Sequence, residues 1–274
     1  MKTTQLTRFR PQAGYSKTVG PRPSLPIHID KILSLARHSR ANGNPAIFLY
    51  RTFAGGTLTG LGKTIQRFVL CVTALLGLCA AVPTQRTVLF LGDSITAGYG
   101  LDSSEAYPEL IQKKIAAKGW NFKVVNAGQS GDTSAGGLSR LDWALKNKID
   151  VLVLELGAND GLRGLPVEQM KKNLQAIVDR TKERYPDVKI IVAGMKLPPN
   201  MGRDYGRQFE TMFPDLAKKN HATLIPFILE GVGGTRELNL ADGIHPTAKG
   251  HEIVANNVWK VLEPVLRPLA AKGS

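Results

Sequence analysis

The run Val88-Leu-Phe-Leu91, closed by Gly92-Asp-Ser94, constrains this chain more than any other stretch. Its large apolar residues leave no polar face, so it suits a strand covered on both sides, as in a parallel sheet between helices. Gly92 permits a sharp turn and leaves Ser94 where the strand ends. In open α/β sheets, ligands bind and reactions occur at the carboxyl ends of the strands. Ser94 is therefore a candidate nucleophile, provided other segments supply a base, a group to orient that base, and donors for an oxyanion.

The same pattern recurs downstream. Residues 122–125, 151–156, 189–193 and 223–227 read as further strands. Apolar residues at helical spacing predict helices over 104–117 (Leu110, Ile111, Ile115 inward), 138–145, and 208–219. A long helix opened by Pro166 carries Val167, Met170, Leu174, Ile177 and Val178, and a last one runs from Pro246 or Thr247 to about Leu262. Five buried strands alternating with helices predict a three-layer α/β/α sandwich with a mostly parallel sheet. It is expected to fill residues 84–268 as one domain, with 269–274 as a tail.

The segment before this domain differs in character. Residues 1–67 hold eleven Lys and Arg against one acid, whereas residues 68–274 hold twenty-five against twenty-one, so the net charge of +14 belongs mostly to the N-terminal part. No basic stripe interleaved with aromatics runs through the body, which argues against nucleic acid as a partner. Gly62-Lys-Thr64 invites comparison with a phosphate-binding loop, but the spacing requires glycine where Thr57 stands, and no buried strand precedes it.

Lys63 and Arg67 flank the apolar run from Phe68 to Val82, which ends in small residues. This is the pattern of a secretory signal peptide, and it is short for a spanning helix. Residues 61–83 are accordingly expected to direct export to the periplasm or beyond, with cleavage near Ala81 and no stable membrane span in the mature form. An uncleaved anchor is the alternative. Residues 1–60 are expected to be disordered, or to lie upstream of a true start near residues 61–69. Cys71 and Cys79 both fall in the apolar run, so the body has neither a disulfide nor a cysteine metal site.

Three histidines follow Ser94, and His245 is distinguished by its surroundings. In Asp242-Gly-Ile-His245-Pro the carboxylate stands three residues before the imidazole, and a turn at Gly243 would fold one onto the other. His221 and His251 lack such a neighbour and read as surface or satisfied residues. Donors for an oxyanion are offered at two other strand ends: Gly131, whose N–H no side chain obstructs, and Asn159, through its side-chain amide. Asp93 and Asp160 read as acids that fix turns by accepting backbone N–H groups.

Together, Gly92-Asp-Ser94, Gly131 in Ser-Gly-Asp-Thr, Gly-Ala-Asn159-Asp and Asp242-Gly-Ile-His245-Pro resemble the four blocks of the SGNH (GDSL) hydrolases, in order, over residues 86–266. The extended runs are similar to the periplasmic arylesterase, acyl-CoA thioesterase I and lysophospholipase branch. The resemblance implies a flavodoxin-like fold with Ser94 as nucleophile, His245 as base and Asp242 orienting it. Ser94 N–H, Gly131 N–H and Asn159 would line the oxyanion hole, with no metal or organic cofactor. Leu162 and Leu165 fall in a glycine-flanked segment like the family's substrate loop, and Pro198 is a further candidate contact.

The expected activity is hydrolysis of small-molecule or lipid esters and thioesters. A carbohydrate acetylesterase is the runner-up, and a non-catalytic envelope binding module stands as the alternative from another class. Oligomeric state is not legible in the sequence.

Overall fold

A computed structural model describes residues 85–271. The expectations for residues 1–60 and for the signal-like segment 61–83 fall outside the described residues.

Five strands form one parallel sheet: β1 Arg86–Gly92, β2 Phe122–Gly128, β3 Val151–Glu155, β4 Lys189–Ala193 and β5 Thr223–Ile225, in the order β2-β1-β3-β4-β5. Val88, Leu89, Phe90 and Leu91 are all buried, as their unbroken apolar run requires. The order reverses direction between β1 and β3, and such a switch point opens a crevice at the strands' carboxyl ends. Ser94 stands there. β5 is shorter than its apolar run because the chain slips out of register there: the Gly194 N–H donates to the Ile225 carbonyl and its carbonyl accepts the Ile228 N–H, three residues apart where a regular ladder uses two.

Helices cover both faces. α1 Ser94–Ala97 follows β1, and α2 Tyr107–Ala117 follows it in turn. α2 begins later than its periodicity predicts. Pro108 has to sit in a first turn, so residues 103–105 form a separate 3-10 turn instead. α3 Ser134–Ser139 and α4 Leu141–Ala144 replace the single helix expected over 138–145. The extra turn exists because Thr133 Oγ1 accepts the Gly136 N–H at 3.1 Å, capping a start that the Gly-Gly pair had concealed.

α5 Ala158–Leu162 is a short helix inside what reads as a glycine-rich turn. α6 Val167–Arg184 buries Val167, Met170, Leu174, Ile177 and Val178, with Pro166 as its N-cap rather than its first residue. α7 is Arg203–Lys219. The final helix, α8 Ala248–Ala271, passes Leu262 and runs through Pro264 and Pro268. Buried Leu266 continues the apolar stripe one turn beyond Leu262, and that burial offsets the hydrogen bonds the prolines remove. Part of the expected tail 269–274 is therefore helical.

α2 and α8 pack together on one face; α3, α6 and α7 form the layer on the other. Between β5 and α8, residues 226–247 form the connection that carries His245, anchored near its start where Ile228 N–H donates to the Gly194 carbonyl at 3.0 Å.

Candidate active site

Asp93 caps α1, its Oδ1 accepting the Ile95 N–H at 3.0 Å, and so fixes the turn that presents Ser94. Ser94 itself is only 8% exposed. Its Oγ lies 2.9 Å from His245 Nε2, and His245 Nδ1 lies 2.7 Å from Asp242 Oδ2. The structure thus brings together three residues from opposite ends of the domain.

The Asp242–His245 turn is held locally. Gly243 adopts a φ of 71°, and Asp242 Oδ1 accepts the N–H groups of Ile244 and His245 at 2.9 and 3.0 Å. The Leu240 N–H closes the loop by donating to the His245 carbonyl at 2.7 Å. The His245 backbone N–H, the imidazole and the Ile244 N–H hold the Asp242 carboxyl down at about 2. Asp242 is therefore an anion that only accepts, so Nδ1 carries the proton and Nε2 faces Ser94 as an acceptor.

Gly131 has a φ of 83°, and its carbonyl accepts from Arg163 Nη2 at 3.1 Å. Among the described residues, neither the Gly131 N–H nor the Ser94 N–H has a hydrogen-bond partner. Asn159 is differently placed. Its Nδ2 donates to the Asp132 carbonyl at 2.9 Å and to Asp93 Oδ2 at 3.2 Å, so both amide hydrogens are engaged. A third acceptor must share the longer of these bonds.

Asp160 accepts from the Ser134 N–H and hydroxyl at 2.7 and 2.6 Å, tying α5 to α3. Leu162 and Leu165 are exposed, at 36% and 39%, and Pro198 is exposed ahead of a 3-10 turn. The neighbour of Pro198, Leu197, lies with Phe209 against Gly161 in α5. His251 is buried, and its Nδ1 accepts the Tyr107 N–H at 3.1 Å. Burial, then the nearby His245, pushes His251 down to about 4 and keeps it neutral.

Several residues around Ser94 left little trace in the sequence. Arg140 pairs with Asp132 and donates from Nη2 to the Gly92 carbonyl at 2.9 Å, clamping the end of β1 to the loop after β2. The Tyr99 ring lies 4.4 Å from the His245 ring, tilted by 38°. Glu155, the last residue of β3, is buried and accepts from Thr96 Oγ1 at 2.6 Å. The available signal for Glu155 was an acid in an otherwise apolar strand.

A serine hydroxyl facing a neutral imidazole nitrogen, with a carboxylate behind the ring, is equipped to transfer a proton as Oγ attacks an electrophile. The sequence matches the GDSL-like Lipase/Acylhydrolase family over residues 90–253. It is 43% identical over 182 residues to Esterase TesA of Pseudomonas aeruginosa, covering 66% of this chain and 90% of that protein. It is 39% identical over 181 residues to Thioesterase 1/protease 1/lysophospholipase L1 of Escherichia coli K12, covering 66% and 85% respectively. The solved psychrotrophic esterase EstA from Pseudoalteromonas sp., inhibited by monoethylphosphonate, superposes with a TM-score of 0.63 at 33% identity, over 66% of this chain and 99% of that one.

Proposed function

The chain belongs to the GDSL-like lipase/acylhydrolase family and is an ester hydrolase, and from that premise we propose that it cleaves carboxylic esters and thioesters through an acyl-enzyme on Ser94. The observation that carries this is the chain of contacts from Asp242 through His245 to Ser94, at 2.7 and 2.9 Å.

His245 Nε2 takes the Oγ proton as the oxygen bonds to the substrate's carbonyl carbon. The carbonyl π electrons move onto oxygen, which the Ser94 and Gly131 N–H groups and the Asn159 amide receive. Collapse of this adduct breaks the bond to the alkoxy or thio group, which leaves with the proton from Nε2. Water, deprotonated by His245, then cleaves the acyl-serine and restores the free hydroxyl. Asp242 holds the tautomer and stabilises the imidazolium without itself taking the proton.

The exposed Leu162 and Leu165 support an acyl chain as the group bound, with Pro198 a further contact, and the substrates are small-molecule or lipid esters and thioesters. Export to the periplasm or beyond rests on the apolar run from Phe68 to Val82. Among the described residues no helix is long and apolar enough to cross a membrane.

Ser94→Ala is expected to lower kcat/KM for aryl and acyl esters by roughly 10⁴-fold or more. A phosphonate ester inhibitor is expected to transfer its phosphonyl group to Ser94, expelling its leaving group, and the corresponding mass gain should appear on no other residue. Retained turnover in the variant, or labelling elsewhere, would overturn the assignment. A panel of graded acyl esters, thioesters and acetylated sugars separates acyl-chain hydrolysis from sugar deacetylation.

A further inference from the structure

Behind Ser94 lies a second acid that the hydrolytic steps do not use. Asp93 and Glu155 are both fully buried, and the Asp93 N–H donates to Glu155 Oε2 at 3.3 Å. Two acids sharing one dry pocket, with the backbone N–H of one on the carboxyl of the other, cannot both be charged without prohibitive repulsion and desolvation.

The contacts decide which one keeps its proton. The Asp93 carboxylate has an N–H donor on each oxygen, Ile95 on Oδ1 and Asn159 on Oδ2. Glu155 Oε2 accepts from Thr96 Oγ1, whose hydroxyl also meets the Tyr107 hydroxyl at 2.8 Å. Glu155 Oε1 is buried with no donor facing it. As a bare carboxylate oxygen it would be an uncompensated buried acceptor; as a hydroxyl it becomes a donor to the neighbouring anion.

We propose that Glu155 is a positioning residue that carries a proton while the enzyme works and donates it to the Asp93 carboxylate, so that the buried pair holds one negative charge, on Asp93, directly behind Ser94. Gly92 makes room for this arrangement, because a Cβ there would lie 2.0 Å from Thr96 Oγ1 and 2.6 Å from Glu155 Oε2. Glu155's proton draws charge from Asp93, which loosens the longer Asn159 bond and lets that amide be shared with an oxyanion. The anion left on Asp93 attracts the imidazolium formed at His245 during turnover.

The titratable groups around the pair agree with this assignment. Burial, then the Asp93 charge, pushes the Glu155 carboxyl well above its usual range. Burial raises Asp93 only to about 6, against the Ile95 N–H, the nearby His245 and hydrogen bonds from Glu155 and Asn159. Tyr107, pushed well above its usual range chiefly by burial, stays a neutral hydroxyl, and beyond it His251 is neutral too.

The effect on turnover rests on Ser94 and His245 acting as proposed above, whereas the location of the proton does not. The wild-type protein at pH 8, above the range in which Asp93 titrates, is expected to show the infrared C=O stretch of a buried protonated carboxyl, and Glu155→Gln is expected to lack it. Its absence from the wild type overturns the proposal whether or not any variant folds. Glu155→Ala is expected to lower kcat at least tenfold and move the acid limb of kcat/KM to higher pH. Glu155→Gln, which keeps a neutral donor, is expected to restore kcat to within about threefold and return the acid limb to its wild-type position. A folded Glu155→Gln protein with its acid limb displaced to lower pH would show that Glu155 had been charged. Loss of activity in Ser94→Ala with the infrared band unchanged separates this test from that of the hydrolytic assignment.

Discussion

Asp93 sits between two duties: it caps the turn that presents Ser94, and it places a buried charge beside the reacting groups. Burial, the dominant influence, raises its pKa from an ordinary 3.8 to about 6. Between these values the folded protein holds a proton that the unfolded chain releases. The stability this group contributes is therefore full below its unfolded value and is lost as the pH rises through about 6. Replacing Asp93→Asn removes that dependence, so the variant should gain on the wild type by roughly 3 kcal/mol as the pH is raised across this window. Urea unfolding of both proteins at matched pH values measures the difference, and a difference independent of pH would contradict the argument. Asp93 was legible as a turn-fixing acid because its Asx contact is local. Its raised pKa was not, because the burial that causes it is created by strands and helices packing around Asp93, among them β3 with Glu155, 62 positions away.

The end of β1 shows how tightly one element depends on another. The Gly92 carbonyl accepts from Arg140 Nη2 and the Gln129 N–H, while the missing Cβ leaves room for Thr96 and Glu155. Gly92→Ala introduces a methyl group where no space exists, and is expected to cost ~1–3 kcal/mol with a large loss of kcat. Gly119→Ala, which meets nothing within 4 Å, is the control: its penalty comes from a φ of 68° alone, with kcat unchanged. Urea unfolding and steady-state kinetics on both variants test this, and equal kinetic behaviour would sink the packing argument. The glycine was legible as a turn, whereas the close approach that demands it was not. Element boundaries misread in the sequence have similar causes. Pro108 shifts the start of α2 by the N–H it lacks, a register slip at Gly194 ends β5, and Thr133 starts α3 through a cap that a Gly-Gly pair obscured.

The order β2-β1-β3-β4-β5 gathers the loops after β1, β2 and β3 at one edge of the sheet, while the connection after β5 delivers His245 to Ser94. Preceding this domain is the apolar run from Phe68 to Val82, whose basic flank and small-residue end predict removal on export. N-terminal sequencing of the exported protein should give a mature chain that begins shortly after Ala81, ahead of β1. A mature chain beginning upstream of residue 60 would contradict the export reading. The sequence by itself determined the alternation of strands and helices, the parallel sheet, and the serine, histidine and aspartate, because local spacing and periodicity encode each of them. Only the tertiary structure decided that Asn159 is already engaged by Asp93 and Asp132, that Arg140 clamps the end of β1, that Tyr99 lies against His245, and that Glu155 lies behind Ser94. Except for Tyr99, which meets its partner only when the chain returns at His245, and Arg140, which reaches back from between α3 and α4, these contacts join residues at or just beyond neighbouring strand ends. Distances between such residues depend on strand order and register, which no local pattern carries.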